Sequence, residues 1–272
     1  TVPEERRNCY VMESSLSILK ESRIQRLRRT RCVFAAPGVE SWGDYGNKAG
    51  TKSLQGRAKL DSVVAQFENL HKYIPGLQAN LLFGTDLDRG SEPVELTKEF
   101  MLRLPYVWPG INIPTPYGGT PLYDRYLEEG RILREMPISL YFAPYLVTTL
   151  KHYGPLEYYD HLIDIYELMT SKRMLVERIR ARGPNSIRLA HVLRTLAMRQ
   201  ELAEQRRVRA MLATDPGFRN FHEGRAVALP EYYHHVFERQ LGRYAKLILP
   251  RDRIPLPRRS SRRAVAVAGG SA

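Results

Sequence analysis

Residues 110–133 read GINIPTPYGGTPLYDRYLEEGRIL, and the order of features in them sets the fold. Val107 to Ile113 is apolar enough for a buried strand, Pro114 and Pro116 end it, and Gly118-Gly119 allow a sharp turn before Pro121 opens a helix. The segment is therefore a strand, a loop and a helix. In α/β folds ligands collect outside the carboxyl ends of strands, which is where Asn112, Thr115, Tyr117 and the two glycines fall.

The same order recurs upstream. Arg7 to Met12 (RNCYVM) reads as a short strand, followed by Glu13-Ser14-Ser15 and then by Leu16, Leu19, Ile24 and Leu27 at helical spacing through Arg29. Ser14 or Ser15 is suited to cap that helix, because a hydroxyl accepts from the open amides of a first turn. Cys32 to Ala36 is a second strand running into Pro37-Gly38-Val39-Glu40-Ser41. Leu60, Val63, Val64, Phe67 and Leu70 mark the inward face of a helix from about Arg57 to Lys72. Leu77 to Phe83 is a third strand that puts Gln78 and Asn80 on one side, followed by Gly84-Thr85-Asp86; a helix then runs from Pro93 to Arg103. Four strands alternating with helices indicate a parallel sheet, open or curled into part of a barrel, with Glu13, Glu40, Ser41, Asp86 and Asn112 along one rim. The Ser41 to Gly56 loop holds Lys48 and several glycines, spaced like no phosphate-binding fingerprint.

The 272 residues are 43% hydrophobic, enough for a full core, and the length suits one large domain or one domain with an appendage. A formal charge of +13 admits nucleic acid, acidic ligands or a membrane surface as partners, although much of the excess sits in Arg-rich helices and the tail. Two cysteines, Cys9 and Cys32, make neither a metal-ligand spacing nor a disulfide framework and fit a reduced, cytoplasmic setting. No run of about 18 apolar residues and no signal peptide is present. The chain opens Thr1-Val2-Pro3 without an initiator Met, as expected of a fragment or a processed product.

After Met136 the composition changes. Tyr141, Tyr145, Tyr153, Tyr158, Tyr159 and Tyr166 accompany helical segments, and Pro155 to Arg182 and Pro184 to Leu212 read as a helical pair broken at Gly183-Pro184. Arg178, Arg180, Arg182, Arg188, Arg194, Arg199, Arg206 and Arg207 crowd that pair, as a polyanion footprint or a solvated face would. Pro230 to Leu247 is another helix, with Glu231, His235 and Glu238 on one face but no zincin motif. The expected organisation is α/β over 1–137, helical over 138–249, and a Pro- and Arg-rich disordered tail over 250–272.

The runs PGVESWGDYGNKAG (37–50), QANLLFGTD (78–86) and NIPTPYGGTPLYDRYLEEGRIL (112–133) together resemble the later strands of radical SAM proteins, particularly the cobalamin-binding type. In that family a GIES-like element ends the fourth strand, here Gly38-Val39-Glu40-Ser41. A glycine ends the fifth, here Gly84, and a P-x-P-GTP-L-Y segment follows the sixth, here Pro114 to Tyr123 with an extra Gly118. The likeness covers about Asn8 to Arg134, and more loosely the FRNFHEG segment at Phe218. It implies the later strands of a partial (β/α)6, TIM-like barrel, followed by an α-helical carboxyl-terminal region.

The resemblance further implies S-adenosylmethionine (SAM) as ligand and its reductive cleavage to a 5′-deoxyadenosyl radical that takes hydrogen from a substrate, with methylation as an outcome where cobalamin serves. By motif, Glu13, Glu40 and Ser41 would hold the methionine or ribose part of SAM, Gln78, Asn80 and Asn112 would face the nucleoside, and backbone near Gly84 and Pro114 would line the adenine. The family's [4Fe–4S] cluster is bound by a CxxxCxxC loop after its first strand, which this chain lacks. The chain is accordingly expected to be the carboxyl-terminal part of a longer protein and inactive alone, with an unpaired strand edge that favours aggregation. Two alternatives stay open: a nucleic-acid-binding module built on the Arg-rich helices, and an enzyme of another class using Glu13 and Glu40 as acid and base.

Overall fold

The computed structural model describes residues 8–43 and 54–247. Four parallel strands, β1 (Tyr10–Ser15), β2 (Cys32–Glu40), β3 (Gly76–Leu82) and β4 (Val107–Asn112), lie in the order β1-β2-β3-β4. The helices α1 (Glu21–Arg29), α2 (Gly56–His71) and α3 (Glu92–Arg103) connect them in turn, and α4 (Pro121–Glu128) follows β4. The α/β expectation holds for these elements, as an open sheet whose edges are β1 and β4 among the described residues. Lys48 and the 250–272 tail lie outside the described residues.

Side-chain alternation divides the sheet into two faces. Leu77, Ala79, Leu81, Val107 and Ile111 are buried on one face. The helices on that side supply Leu60, Val63, Val64, Phe67 and Leu70, the stripe read from the sequence, together with Val94, Phe100 and Met101. Phe67 meets Phe100 edge-on with ring centres 5.6 Å apart. The opposite face carries Phe34, Gln78, Asn80, Trp108, Gly110 and Asn112.

Beyond α4 the chain is helical: α5 (Pro155–Met169), α6 (Lys172–Arg180), α7 (Asn185–Thr214), α8 (Pro216–His222) and α9 (Glu231–Leu241). The α6–α7 hairpin stands on the second sheet face at its amino-terminal end. A Cβ on Gly76 would lie 3.0 Å from Ile187 Cδ1, and the Arg194 guanidinium sits 5.9 Å from the Phe34 ring centre and 5.1 Å from that of Trp108. Arg178 enters the same corner, 4.7 Å from the Trp108 ring centre and 1% exposed.

Several boundaries differ from the sequence reading. β1 begins at Tyr10 and runs to Ser15, because its ladder continues to Ser15 opposite Gly38. Ser15 then leads only into a one-turn 3₁₀ helix and makes no side-chain cap bond; α1 starts at Glu21. The long helix expected over 155–182 breaks at Thr170-Ser171, where Ser171 Oγ accepts from the Met174 amide at 3.1 Å and starts α6. The last α-helix ends at Leu241, where Gly242 takes a φ of +45° that an L side chain rarely adopts, and a 3₁₀ helix carries the chain over Gly242–Leu247.

His191 is buried beside Trp108, and burial together with the Arg178 and Arg194 charges lowers its pKa to about 4. His222 is buried as well, and burial alone lowers it to about 3. The unfolded chain takes up these protons below about pH 6.5 while the folded chain does not, so stability is present above that pH and is lost as pH falls toward 4. The expected slope is up to about 1.4 kcal/mol per pH unit for each histidine. Urea midpoints at pH 7 and pH 5 measure it, and His191→Gln should remove its share of the difference.

Candidate functional site

The polar strand ends assemble on the face that α7 leaves open. Register places Ser15 opposite Gly38, Gly38 opposite Asn80 and Asn80 opposite Gly110, a row about 14 Å wide at ordinary strand spacing. Glu13 pairs with Ala36 and Gln78 with Trp108 one step back, and Leu82 pairs with Asn112 one step forward. Glu13, Gln78, Asn80 and Asn112 therefore point to the same side of the sheet.

Glu40 joins them by a backbone irregularity. Its φ is +67°, uncommon for a residue with a side chain, and the β2–β3 register shifts between Gly38 and Glu40. A Cβ on Gly38 would lie 2.6 Å from Glu40 Oε1, so the glycine leaves room for the carboxylate to fold back over the strand. Strain of this kind, of order 1–3 kcal/mol, persists where the surroundings over-determine it and clusters at ligand sites. Gly110 has a matching role: a Cβ there would be 3.0 Å from both Asn80 Oδ1 and Gln78 Nε2. Gln78 Nε2 donates to Asn80 Oδ1 at 2.7 Å and Asn80 Nδ2 to the Ala36 carbonyl at 3.2 Å. Exposed Asn112 donates to the Gly110 carbonyl at 3.3 Å.

Ser41 and Gly84 lie elsewhere, in a buried clasp behind the row. Ser41 is fully buried, and its hydroxyl donates to Asp88 Oδ1 at 2.7 Å. Asp88 Oδ2 accepts from the Gly84 amide at 3.0 Å, the Thr85 amide at 2.8 Å and the Thr85 hydroxyl at 3.0 Å. Burial pushes the Asp88 carboxyl up, against the downward pull of the Ser41, Thr85 and Gly84 donors. Buried Lys59 donates to the carbonyls of Ser41 at 2.5 Å and Gly43 at 2.8 Å. Together these bonds tie the end of β2 to the end of β3. Gly84 has φ +94°, and a Cβ there would strike the Tyr158 ring at 2.7 Å. Pro114 is buried just past β4.

Asp86, expected on the rim, is committed to an ion cluster. Arg131 Nη2 lies 2.8 Å from its Oδ1, while Arg131 Nη1 also reaches Glu129 at 2.9 Å. Burial opposes ionisation of Asp86, but hydrogen bonding from Arg131 and the charges of Arg131 and Arg125 outweigh it and hold its pKa below the usual value. Asp88 and Lys59 were missed in the sequence; the signal for Asp88 was Gly84-Thr85 three to four residues ahead of an acidic side chain, a turn-forming pattern.

Of the arginines read as a polyanion footprint or a solvated face, Arg178 is buried and Arg188 donates to the Ile179 carbonyl at 3.1 Å, and the others differ in their acidic partners. Arg206 pairs with Glu167 at 2.7 Å and Arg207 with Glu204 at 3.6 Å toward the carboxyl end of α7, where Arg209, outside that set, pairs with Asp160 at 2.7 Å. Arg180, Arg182, Arg194 and Arg199 have no carboxylate partner among the described residues. On α9, exposed His235 lies 3.3 Å from Glu231, and no set of three His, Cys, Asp or Glu side chains placed to hold a metal occurs among the described residues.

Fold and site define an α/β domain with a parallel sheet, whose strand carboxyl ends present carboxylate and amide side chains on one open face. No family model matches the chain. Over 193 residues it is 28% identical to the bacteriochlorophyllide d C-8(2)-methyltransferase of Chlorobaculum tepidum, a stretch that covers 70% of this chain and 41% of that protein. The chain thus spans less than half the length of this methyltransferase. No helix among the described residues is long and apolar enough to cross a membrane.

Proposed function

We propose that this chain is the carboxyl-terminal part of a radical SAM methyltransferase and that its open strand-end row binds SAM at the rim of a partial barrel. The observation that carries the proposal is Glu40, held at φ +67° with its carboxylate over Gly38, beside the Gln78–Asn80 amide pair. The methyltransferase similarity agrees with it, since methyl transfer is one outcome the family resemblance implies.

The residues suit an amino acid joined to a nucleoside. Carboxylates of Glu40 and Glu13 accept charge-assisted hydrogen bonds from the methionine ammonium. Gln78, Asn80 and Asn112 offer donors and acceptors to ribose and adenine, while buried Pro114 ends the strand behind Asn112. Ser41 and Gly84 act from behind by fixing the strand ends through Asp88. Bound SAM would supply a transferable methyl group and the deoxyadenosyl moiety.

The chain's residues do not fit a [4Fe–4S] cluster: it has two cysteines, Cys9 exposed and Cys32 buried in β2, where such clusters take four thiolates or three thiolates and SAM. Cluster ligands therefore belong to a preceding part of the protein, and no residue here is assigned to cobalamin.

The test is SAM affinity of the protein extended upstream of Thr1, measured by equilibrium dialysis with labelled SAM. Glu40→Gln keeps size and hydrogen-bonding reach but removes the charge, and is expected to weaken binding about 10- to 100-fold, or roughly 1.5–3 kcal/mol. Unchanged affinity in Glu40→Gln and in Asn80→Ala would remove the row from the site.

A further inference from the structure

We infer that the outward face of the α6–α7 hairpin seats the polypeptide that continues the sheet beyond β1, and that this polypeptide meets it with aliphatic side chains and carboxylates. The inference rests on the function proposed above, in which the chain is part of a longer protein.

Leu189, Leu193 and Leu196 recur at helical spacing on α7 and are 58%, 57% and 43% exposed, with Val176 and Ile179 of α6 at 40% and 50%. The two groups adjoin, because Arg188 Nη1 donates to the Ile179 carbonyl at 3.1 Å. A stripe of this kind on a helix whose other flank already packs on the sheet marks an interface. Its charge is one-sided as well: of the eight Lys and Arg in residues 172–200, Arg178 and Arg194 turn to the sheet, and the other six are accompanied by a single carboxylate, Glu177. Further along α7 the arginines are paired, through Glu167, Glu204 and Asp160. Among the described residues the helix thus has acidic partners in one half and lacks them in the half that carries the exposed leucines.

The position of the face names the occupant. Arg194 covers Phe34, and Phe34 pairs across the sheet with Val11 of the edge strand β1, which is 69% exposed. Chain added at that edge and curling round the open face comes against the far side of α7. In the Chlorobaculum tepidum methyltransferase more than half of the protein lies outside the matched stretch, so length for such a segment exists in that protein. Exposed leucines disfavour a nucleic-acid surface, which relies on basic and aromatic side chains.

The test is co-expression of this chain with the polypeptide encoded immediately upstream of Thr1, as two separate chains with the tag on the upstream one. Wild type is expected to co-purify in equal amounts. Leu189→Gln, Leu193→Gln and Leu196→Gln combined, at exposed sites where folding is unaffected, are expected to cut recovery at least tenfold. Arg180→Glu with Arg199→Glu should do the same while the helical circular dichroism of this chain is unchanged. Equal recovery of wild type and both variants overturns the inference and leaves the proposed function standing. Flotation of this chain alone with vesicles containing 30% phosphatidylglycerol, abolished by the leucine substitutions, also overturns it, by making the face a lipid seat. Absence of any associating upstream polypeptide removes the proposed function and the inference together.

Discussion

Asp88→Ala is expected to cost about 3–5 kcal/mol or to prevent folding, the scale for removing one partner from a buried, charge-assisted network. The side chain is 2% exposed and accepts from the Ser41 hydroxyl, the Thr85 hydroxyl and the amides of Gly84 and Thr85. All four donors would lose their acceptor inside the protein. Asp88→Asn keeps the shape, and with its amide nitrogen toward the Ser41 hydroxyl, which can accept, its oxygen still takes the Gly84 and Thr85 donors, so it should recover much of the loss while losing the charge-assisted strength of those bonds. Urea unfolding of the three proteins gives the order wild type, Asn, Ala. Equal midpoints would mean that the clasp does not hold the ends of β2 and β3. Since the proposed SAM row is built on those ends, Asp88→Asn should also weaken SAM binding without touching the ligand.

Trp108→Ala should be as severe, about 3–5 kcal/mol for a large buried aromatic. Trp108 is 5% exposed and is the floor on which Arg178, Arg194 and His191 of the α6–α7 hairpin rest, at 4.7, 5.1 and 5.8 Å between group centres. Arg178 has no carboxylate partner among the described residues; it donates to the Met169 carbonyl at 2.9 Å and to the Thr195 hydroxyl, and the ring face supplies the remaining stabilisation. Without the ring its buried charge is poorly compensated, and the hairpin should release. Hydrogen exchange in 172–200 is then expected to accelerate far more than in α2 or α3. Uniform acceleration would show instead that the hairpin and the sheet unfold as one unit. Arg178→Met, which removes the charge and keeps the bulk, should be close to neutral.

Alternation of apolar runs with amphipathic stretches made the four βα units legible, because β3 and β4 are buried on at least one face and α2 carries a clean stripe. β1 was harder to bound: as an edge strand with a mixed burial pattern it offers no sharp end in RNCYVMESS. The apolar run marked β2 only as far as Ala36, yet pairing with β1 on one side and β3 on the other carries it on to Glu40. Ser171 was a helix start hidden within an apparently continuous helix, its hydroxyl competing successfully for the Met174 amide.

For the site, residue type and spacing were enough to put Glu13, Gln78, Asn80 and Asn112 on one face, since strand alternation fixes direction. They were not enough to separate Ser41 from Glu40, adjacent residues sent to opposite environments by one positive φ. Nor could they show which aspartate of the Asp86-Leu87-Asp88 pair turns inward. That choice depends on Arg131, distant in sequence, which captures Asp86 and leaves Asp88 to the amides of Gly84 and Thr85.

The most direct measurement is 5′-deoxyadenosine release from SAM by the upstream-extended protein, reconstituted anaerobically with iron and sulfide and supplied with a reductant. Release that depends on an in-frame CxxxCxxC upstream of Thr1 and falls at least tenfold in Glu40→Gln is the expected result. A reconstituted cluster with no 5′-deoxyadenosine, or release unaffected by Glu40→Gln and Asn80→Ala, would contradict the assignment of the strand-end row to SAM.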